Sequence, residues 1–95
     1  MSLEFEWDRR KARSNLAKHN VPFEEALTVF ADSLARIFDD EEHSNDERRE
    51  IIIGHSNRRH LIVVSFTTRG MRIRLFSARK ATRIERKDYE ENVGP

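Results

Sequence analysis

Three short apolar runs in the second half of the chain restrict the fold more than any other feature. Ile51-Ile52-Ile53 and Leu61-Ile62-Val63-Val64 are uninterrupted and rich in β-branched residues, the pattern of strands buried on both faces. Met71, Ile73 and Leu75 alternate with Arg72, Arg74 and Phe76, which predicts a strand with one face in the core and one basic face. The connections between these runs are "HSNRRH" and "TTRG". Both are hairpin-sized, and Gly70 can take positive φ in the second. Neighbouring strands therefore run antiparallel. Another strand is expected over Leu34 to Phe38, ahead of the acidic stretch "DDEEHSNDERRE", giving a four-stranded antiparallel sheet.

The first half has a different period. A short extended stretch, Phe5-Glu6-Trp7, precedes Asp8, a good N-cap for "RRKARSNLAKHN". Ala12 and Leu16 give that helix a narrow apolar stripe, which His19 extends. Asn20 and Pro22 break and restart the chain. Phe23, Ala26, Leu27 and Phe30 then follow the i, i+3, i+4, i+7 spacing of a second helix, with Glu24 and Glu25 where the helix dipole favours acid. Asp32-Ser33 ends it. Near the C-terminus Thr82-Arg83-Ile84-Glu85 matches a capping box, so a last helix starts near Arg83 and leaves Arg79 and Lys80 in the strand-to-helix turn. The expected architecture is α+β: a short N-terminal strand, two helices, the four-stranded sheet and a C-terminal helix, with helices on one face. At 95 residues this is one domain, residues 1–95.

Charge is unevenly placed. Residues 1–50 hold 8 basic and 13 acidic side chains, residues 51–95 hold 10 and 4. Such polarity suits an anionic partner for the C-terminal half, an acidic protein partner, or a merely soluble surface. Fourteen of the 18 basic residues are arginine, whose planar fork matches phosphate. With no cysteine, disulfides and thiolate metal sites are excluded. The sequence has no apolar leader and no run long enough to span a bilayer, which points to the cytoplasm.

Few other chemistries fit. The acidic run Asp39 to Glu50 has Ser44 where a calcium loop needs glycine, so it reads as an exposed turn. His19, His43, His55 and His60 form no zinc motif. Glycine-rich phosphate loops and serine or cysteine nucleophile motifs are missing. No cofactor or metal is expected. What remains is the block "RIRLFSARKATRIERKDYEENV". Its arginines cluster around a strand and a helix N-terminus, both of which offer donors to phosphate. Phe76 or Tyr89 offers a flat surface to a base. A solvated strand face with helix pairs such as Arg86 with Glu90 explains the same residues.

"FEWDRRKARSNLAKHNVPFEEALTVFAD", "ERREIIIGHS" and "RIRLFSARKATRIERKDYEE" resemble the BrnT toxins of bacterial type II toxin–antitoxin pairs. The resemblance runs from about Phe5 to Glu91. It is carried by Trp7-Asp8, Lys18-His19, Phe23-Glu24-Glu25-Ala26 and Ser77-Ala78-Arg79, followed by Arg83, Glu85 and Tyr89. It departs where the family has glycine and this chain has Asn20 and Arg59, and at Glu50, where the family often has an apolar residue. Asn20 still tolerates a left-handed conformation.

The resemblance implies a RelE-like ribonuclease fold, RNA cleavage that stops translation, and neutralisation by a small DNA-binding antitoxin, BrnA-like, in a heterotetramer. Operator DNA would be touched only through the antitoxin. Metal-free RNA cleavage needs a base, an acid and positive charge on the phosphorane-like transition state. On this reading Arg79 and Arg83 take the scissile phosphate. Arg49, in the run Glu47-Arg48-Arg49, either supports them or is held by Glu47. His19, Glu47 and Tyr89 are unranked candidates for proton transfer. Arg72, Arg74, Lys80 and Lys18 are assigned to RNA contact. The alternative is a non-catalytic nucleic-acid-binding module using the same basic face, and a third reading is a domain that only docks an acidic antitoxin.

Overall fold

The structure, a computed structural model, describes residues 3–44 and 47–92. The order is β1 (Glu4–Glu6), α1 (Arg9–His19), α2 (Phe23–Ala26), a 3-10 turn (Leu27–Ala31), β2 (Arg36–Asp39), β3 (Glu50–His55), β4 (Leu61–Arg69), β5 (Arg72–Lys80) and α3 (Arg83–Asn92). A second short 3-10 turn, Glu41–His43, lies in the acidic connection after β2. Residues 45 and 46 of that connection lie outside the described residues.

The sheet has five strands in the order β1-β5-β4-β3-β2. The expected four antiparallel strands are there as β2 to β5. The correction is at the edge, where β1 joins β5 in parallel and makes the sheet mixed. Hairpins dictate antiparallel pairing for chain neighbours, but β1 and β5 are separated by most of the chain, so no hairpin sets their direction. Their register places Glu4 opposite Arg72, Phe5 opposite Ile73 and Glu6 opposite Arg74. Phe5 and Ile73 belong to the core while the flanking charges pair outside it.

The faces of the sheet differ. Ile52, Ile62, Val64, Ile73 and Leu75 pack against Val21, Phe23, Ala26 and Val29 from the helical layer. Ile53, Leu61 and Val63 point the other way and pack against Tyr89 of α3. The helices therefore flank both faces instead of sharing one. Strands β3 and β4, buried on both sides, match the reading of their apolar runs.

The second helix is shorter than its spacing suggests. It makes one α-turn and tightens into 3-10 geometry at Leu27. Thr28 donates its hydroxyl to the Glu25 carbonyl at 2.6 Å, and β-branched Thr28 and Val29 disfavour an α continuation. Glu25 is itself buried. It accepts the Ser56 hydroxyl at 2.6 Å and lies 2.8 Å from His60 Nδ1, tying the β3–β4 hairpin to α2. Burial, the largest single effect, raises the Glu25 pKa, but those two bonds together with the charges of His60 and Arg58 outweigh it and hold the carboxyl below its ordinary range.

Both helix starts behave as the sequence predicts. The Asp8 carboxylate accepts from the amides of Arg10 and Lys11. Thr82 and Glu85 exchange reciprocal bonds at 2.8 and 3.2 Å, a closed capping box. Asn20 ends α1 at φ 58°, and Arg59 turns the β3–β4 hairpin at φ 64°. The two positions where this chain lacks the family's glycine are thus both left-handed. Asparagine bears that cheaply; arginine does not.

Candidate active site

Residue 15 links the helical layer to the basic strand. Asn15 is only 6% exposed. Its Nδ2 donates to the carbonyls of Ala78 (2.8 Å) and Val21 (3.0 Å), and its Oδ1 accepts the Ala78 amide at 3.0 Å. Since β1 covers β5 only at residues 72–74, the rest of that edge needs partners. Asn15 supplies them as a neighbouring strand would. Lys11 lies one turn earlier on the same side of α1 and is brought to 4.9 Å from the centre of the Phe76 ring.

A bulge in the β4–β5 ladder completes the placement. Ser65 pairs with Ser77 but Phe66 pairs with Leu75, so Phe76 is the extra residue. Leu75 and Ala78 both stay in the main core, and Phe76 is turned to the opposite face. There the Arg49 guanidinium lies 4.0 Å from its ring centre. A cation held over a ring face has one side shielded from water by the ring.

These groups meet in a cavity of about 370 Å³ lined by Lys11, Asp40, His43, Arg49, Ile51, Val63, Ser65, Phe76, Ser77 and Arg79. Arg79 comes from β5 itself, not from the turn that follows it as expected, because the strand runs on to Lys80. Its fork meets the Glu85 carboxylate at 2.7 and 2.9 Å. That bond, with the Thr82 amide added and burial opposing, lowers the Glu85 pKa from the ordinary 4.5 to about 2. His43 Nδ1 lies 3.0 Å from Asp40 Oδ2; the Asp40 side chain is 12% exposed and that of His43 62%. A larger hollow of about 820 Å³ lies on the helical side among Leu3, Phe5, Phe30 and His55. Its lining is mostly apolar, whereas the smaller cavity is lined by Lys11, Arg49 and Arg79.

Of the residues singled out from sequence, the cavity brings together Arg49, Arg79 and Phe76, the last as one of two candidate base surfaces. Arg83 is exposed on the first turn of α3, outside it. Glu47 is held by Arg69 at 2.6 and 2.9 Å and not by Arg49. That bond lowers its pKa, and it lines a separate depression with Thr67 and Thr68. His19 and Lys18 are exposed at the end of α1, and Lys80 is exposed at the end of β5. Tyr89 is buried and donates to the Leu34 carbonyl at 3.2 Å; burial pushes its phenol pKa up. Arg72 and Arg74 face Glu4 and Glu6 across β1. Sequence reasoning missed Lys11 and the Asp40–His43 pair. The available signal for Lys11 was its four-residue spacing from Asn15, a polar residue in a helix stripe.

A mixed α+β domain with cations gathered on one sheet face is a fold-and-site combination suited to handling a phosphodiester. The comparisons with known proteins agree. The family model described as "Ribonuclease toxin, BrnT, of type II toxin-antitoxin system" matches residues 7–85, and the chain belongs to this family. Among solved structures, the fold matches the 1.1 Å crystal structure of the Brucella abortus ribonuclease toxin BrnT, with a TM-score of 0.66 and 25% identity. That match covers 86% of this chain and all of the Brucella chain. No curated protein is a significant sequence match. Among the described residues no helix is long and apolar enough to cross a membrane.

Proposed function

We propose that this chain is a metal-independent endoribonuclease that stops translation by cutting RNA. In the same reading the fold is RelE-like, the protein acts in the cytoplasm, and a small BrnA-like DNA-binding antitoxin neutralises it in a heterotetramer. That antitoxin alone would contact operator DNA. The observation that carries the proposal is the convergence of Lys11, Arg49 and Arg79 on one cavity beside Phe76.

In the proposed reaction the 2′-oxygen of the RNA attacks the adjacent phosphorus. The new P–O bond forms as the bond to the 5′-oxygen of the next nucleotide breaks, leaving a 2′,3′-cyclic phosphate. Negative charge builds on the non-bridging oxygens. Arg79 and Arg49 offer planar forks to them and Lys11 a compact ammonium. Arg79 exchanges its Glu85 partner for the phosphate as substrate binds. We assign proton transfer to His43 in preference to His19, Glu47 or Tyr89. Asp40 accepts from Nδ1–H, which leaves Nε2 to take the 2′-hydroxyl proton, while the departing 5′-oxygen takes its proton from water. His19 lies outside the cavity, Glu47 is held by Arg69, and the Tyr89 phenol is buried. Arg83, Lys80 and Lys18 act as outer contacts along the RNA. Arg72 and Arg74, already opposite glutamates, contribute less.

The purified chain should shorten single-stranded RNA in the presence of EDTA and leave cyclic phosphate ends. A gel shift with no shortening would favour the non-catalytic binding module and end the enzymatic reading.

A further inference from the structure

The sheet face that carries the cavity continues beyond it. The ladder aligns Phe38 with Ile51, Ile51 with Ser65 and Ser65 with Ser77. A second row aligns Arg36, Ile53, Val63 and Arg79. Residues directly opposite in a ladder share a face. Phe38 and Arg36 at the β2 edge therefore look out on the same side as Phe76 and Arg79 at the β5 side. The Arg36 guanidinium lies 5.2 Å from the Phe38 ring centre, repeating the arrangement of Arg49 on Phe76.

We propose that the Arg36–Phe38 pair is a second base-binding platform of the same RNA site, so that the substrate lies across the sheet and not only in the cavity. This rests on the ribonuclease reading of the cavity. Three features support it. Phe38 is 44% exposed on an edge strand, where proteins usually place charge to discourage pairing. A second depression, about 270 Å³, runs from Phe38 to Tyr89 and shares Ile51, Val63 and Arg79 with the cavity. Its far wall includes the Asp88 carboxylate, which repels phosphate but accepts from the exocyclic amine of a base. The depression thus suits a base, while phosphate stays with Arg79.

Distance sets the length of RNA required. From β2 to β5 is three strand spacings, roughly 14 Å, well beyond the ~3.4 Å between stacked neighbours. A substrate occupying both Phe76 and Phe38 carries nucleotides between them, and a dinucleotide bound at the Phe76 platform leaves Phe38 empty.

The test compares cleavage of a dinucleotide and an octanucleotide of the same scissile step by wild type, Phe38→Ala and Phe38→Trp, with circular dichroism confirming the fold. Phe38→Ala should raise KM for the octanucleotide about tenfold, the scale of one base–aromatic stack, with kcat unchanged. KM for the dinucleotide should not move, and Phe38→Trp should restore the octanucleotide value. An unchanged octanucleotide KM overturns the second platform while leaving the cavity reading intact. So does an equal loss on both lengths, which marks a structural role. A wild-type chain that cuts neither substrate overturns the cavity reading and this inference together.

Discussion

Replacing Asn15 with alanine tests how the active face is assembled. The substitution strips partners from the Ala78 amide, the Ala78 carbonyl and the Val21 carbonyl, and both of those residues are fully buried. A buried polar group left unpaired costs about 1–3 kcal/mol. Water entering the vacated space satisfies part of the set, so the expected loss is about 3–4 kcal/mol. A domain of this size has about 5–15 kcal/mol to lose. In urea, with m of roughly 1 kcal/mol/M, the midpoint should fall by about 3 M. Asn15→Asp should be no better near neutral pH. It keeps the acceptor for the Ala78 amide but turns a carboxylate oxygen on two carbonyls. Activity measured in water should fall as well, because Lys11 is carried on the same side of α1. A midpoint shift worth less than about 1 kcal/mol, with m unchanged, would refute the claim that Asn15 closes the β5 edge.

Arg59→Gly relieves a left-handed arginine at φ 64° and should raise stability by about 1 kcal/mol; a thermal midpoint that stays level or drops would contradict this. The Glu85 carboxyl has a folded pKa of about 2, below the ordinary 4.5. Its contribution is therefore complete above about pH 4.5 and lost as pH falls towards 2. The full shift corresponds to about 3 kcal/mol. Side chains 40% and 33% exposed reduce that to about 1 kcal/mol. Wild type should lose this increment between pH 5 and 2 in urea titrations and Glu85→Gln should not; parallel curves would refute it. Tyr89→Phe removes one bond to the Leu34 carbonyl and should cost about 1 kcal/mol or less while RNA cleavage per folded molecule stays unchanged. A large fall in cleavage would return Tyr89 to the proton-transfer role.

What the sequence disclosed follows from how local each signal is. Asp8 and the Thr82–Glu85 box act within three residues, and both were readable. The apolar runs of β3 and β4 are set by burial on both faces and were readable too. The parallel edge was harder. The alternation in "EFE" complements that in "RIR", but only the fold shows that the two segments meet. The site depended on the least legible features: one extra residue in β5 that turns Phe76, and one buried asparagine that fixes α1. From sequence, the basic residues from Arg72 to Lys87 cluster around a strand and a helix N-terminus. The fold divides them, with Arg72 and Arg74 opposite β1 glutamates, Arg79 in the cavity and Arg83 outside it. His43 was masked by the acidic turn around it, which reads as a solvated loop.

The most direct test of the central claim is single-turnover cleavage of single-stranded RNA in EDTA by wild type, Arg49→Ala and Arg79→Ala. Loss of charge stabilisation in the transition state predicts a fall of about a hundredfold or more in each variant, with circular dichroism and the urea midpoint showing a folded chain. Wild-type rates in both folded variants would contradict the assignment of this cavity as the place where RNA is cut.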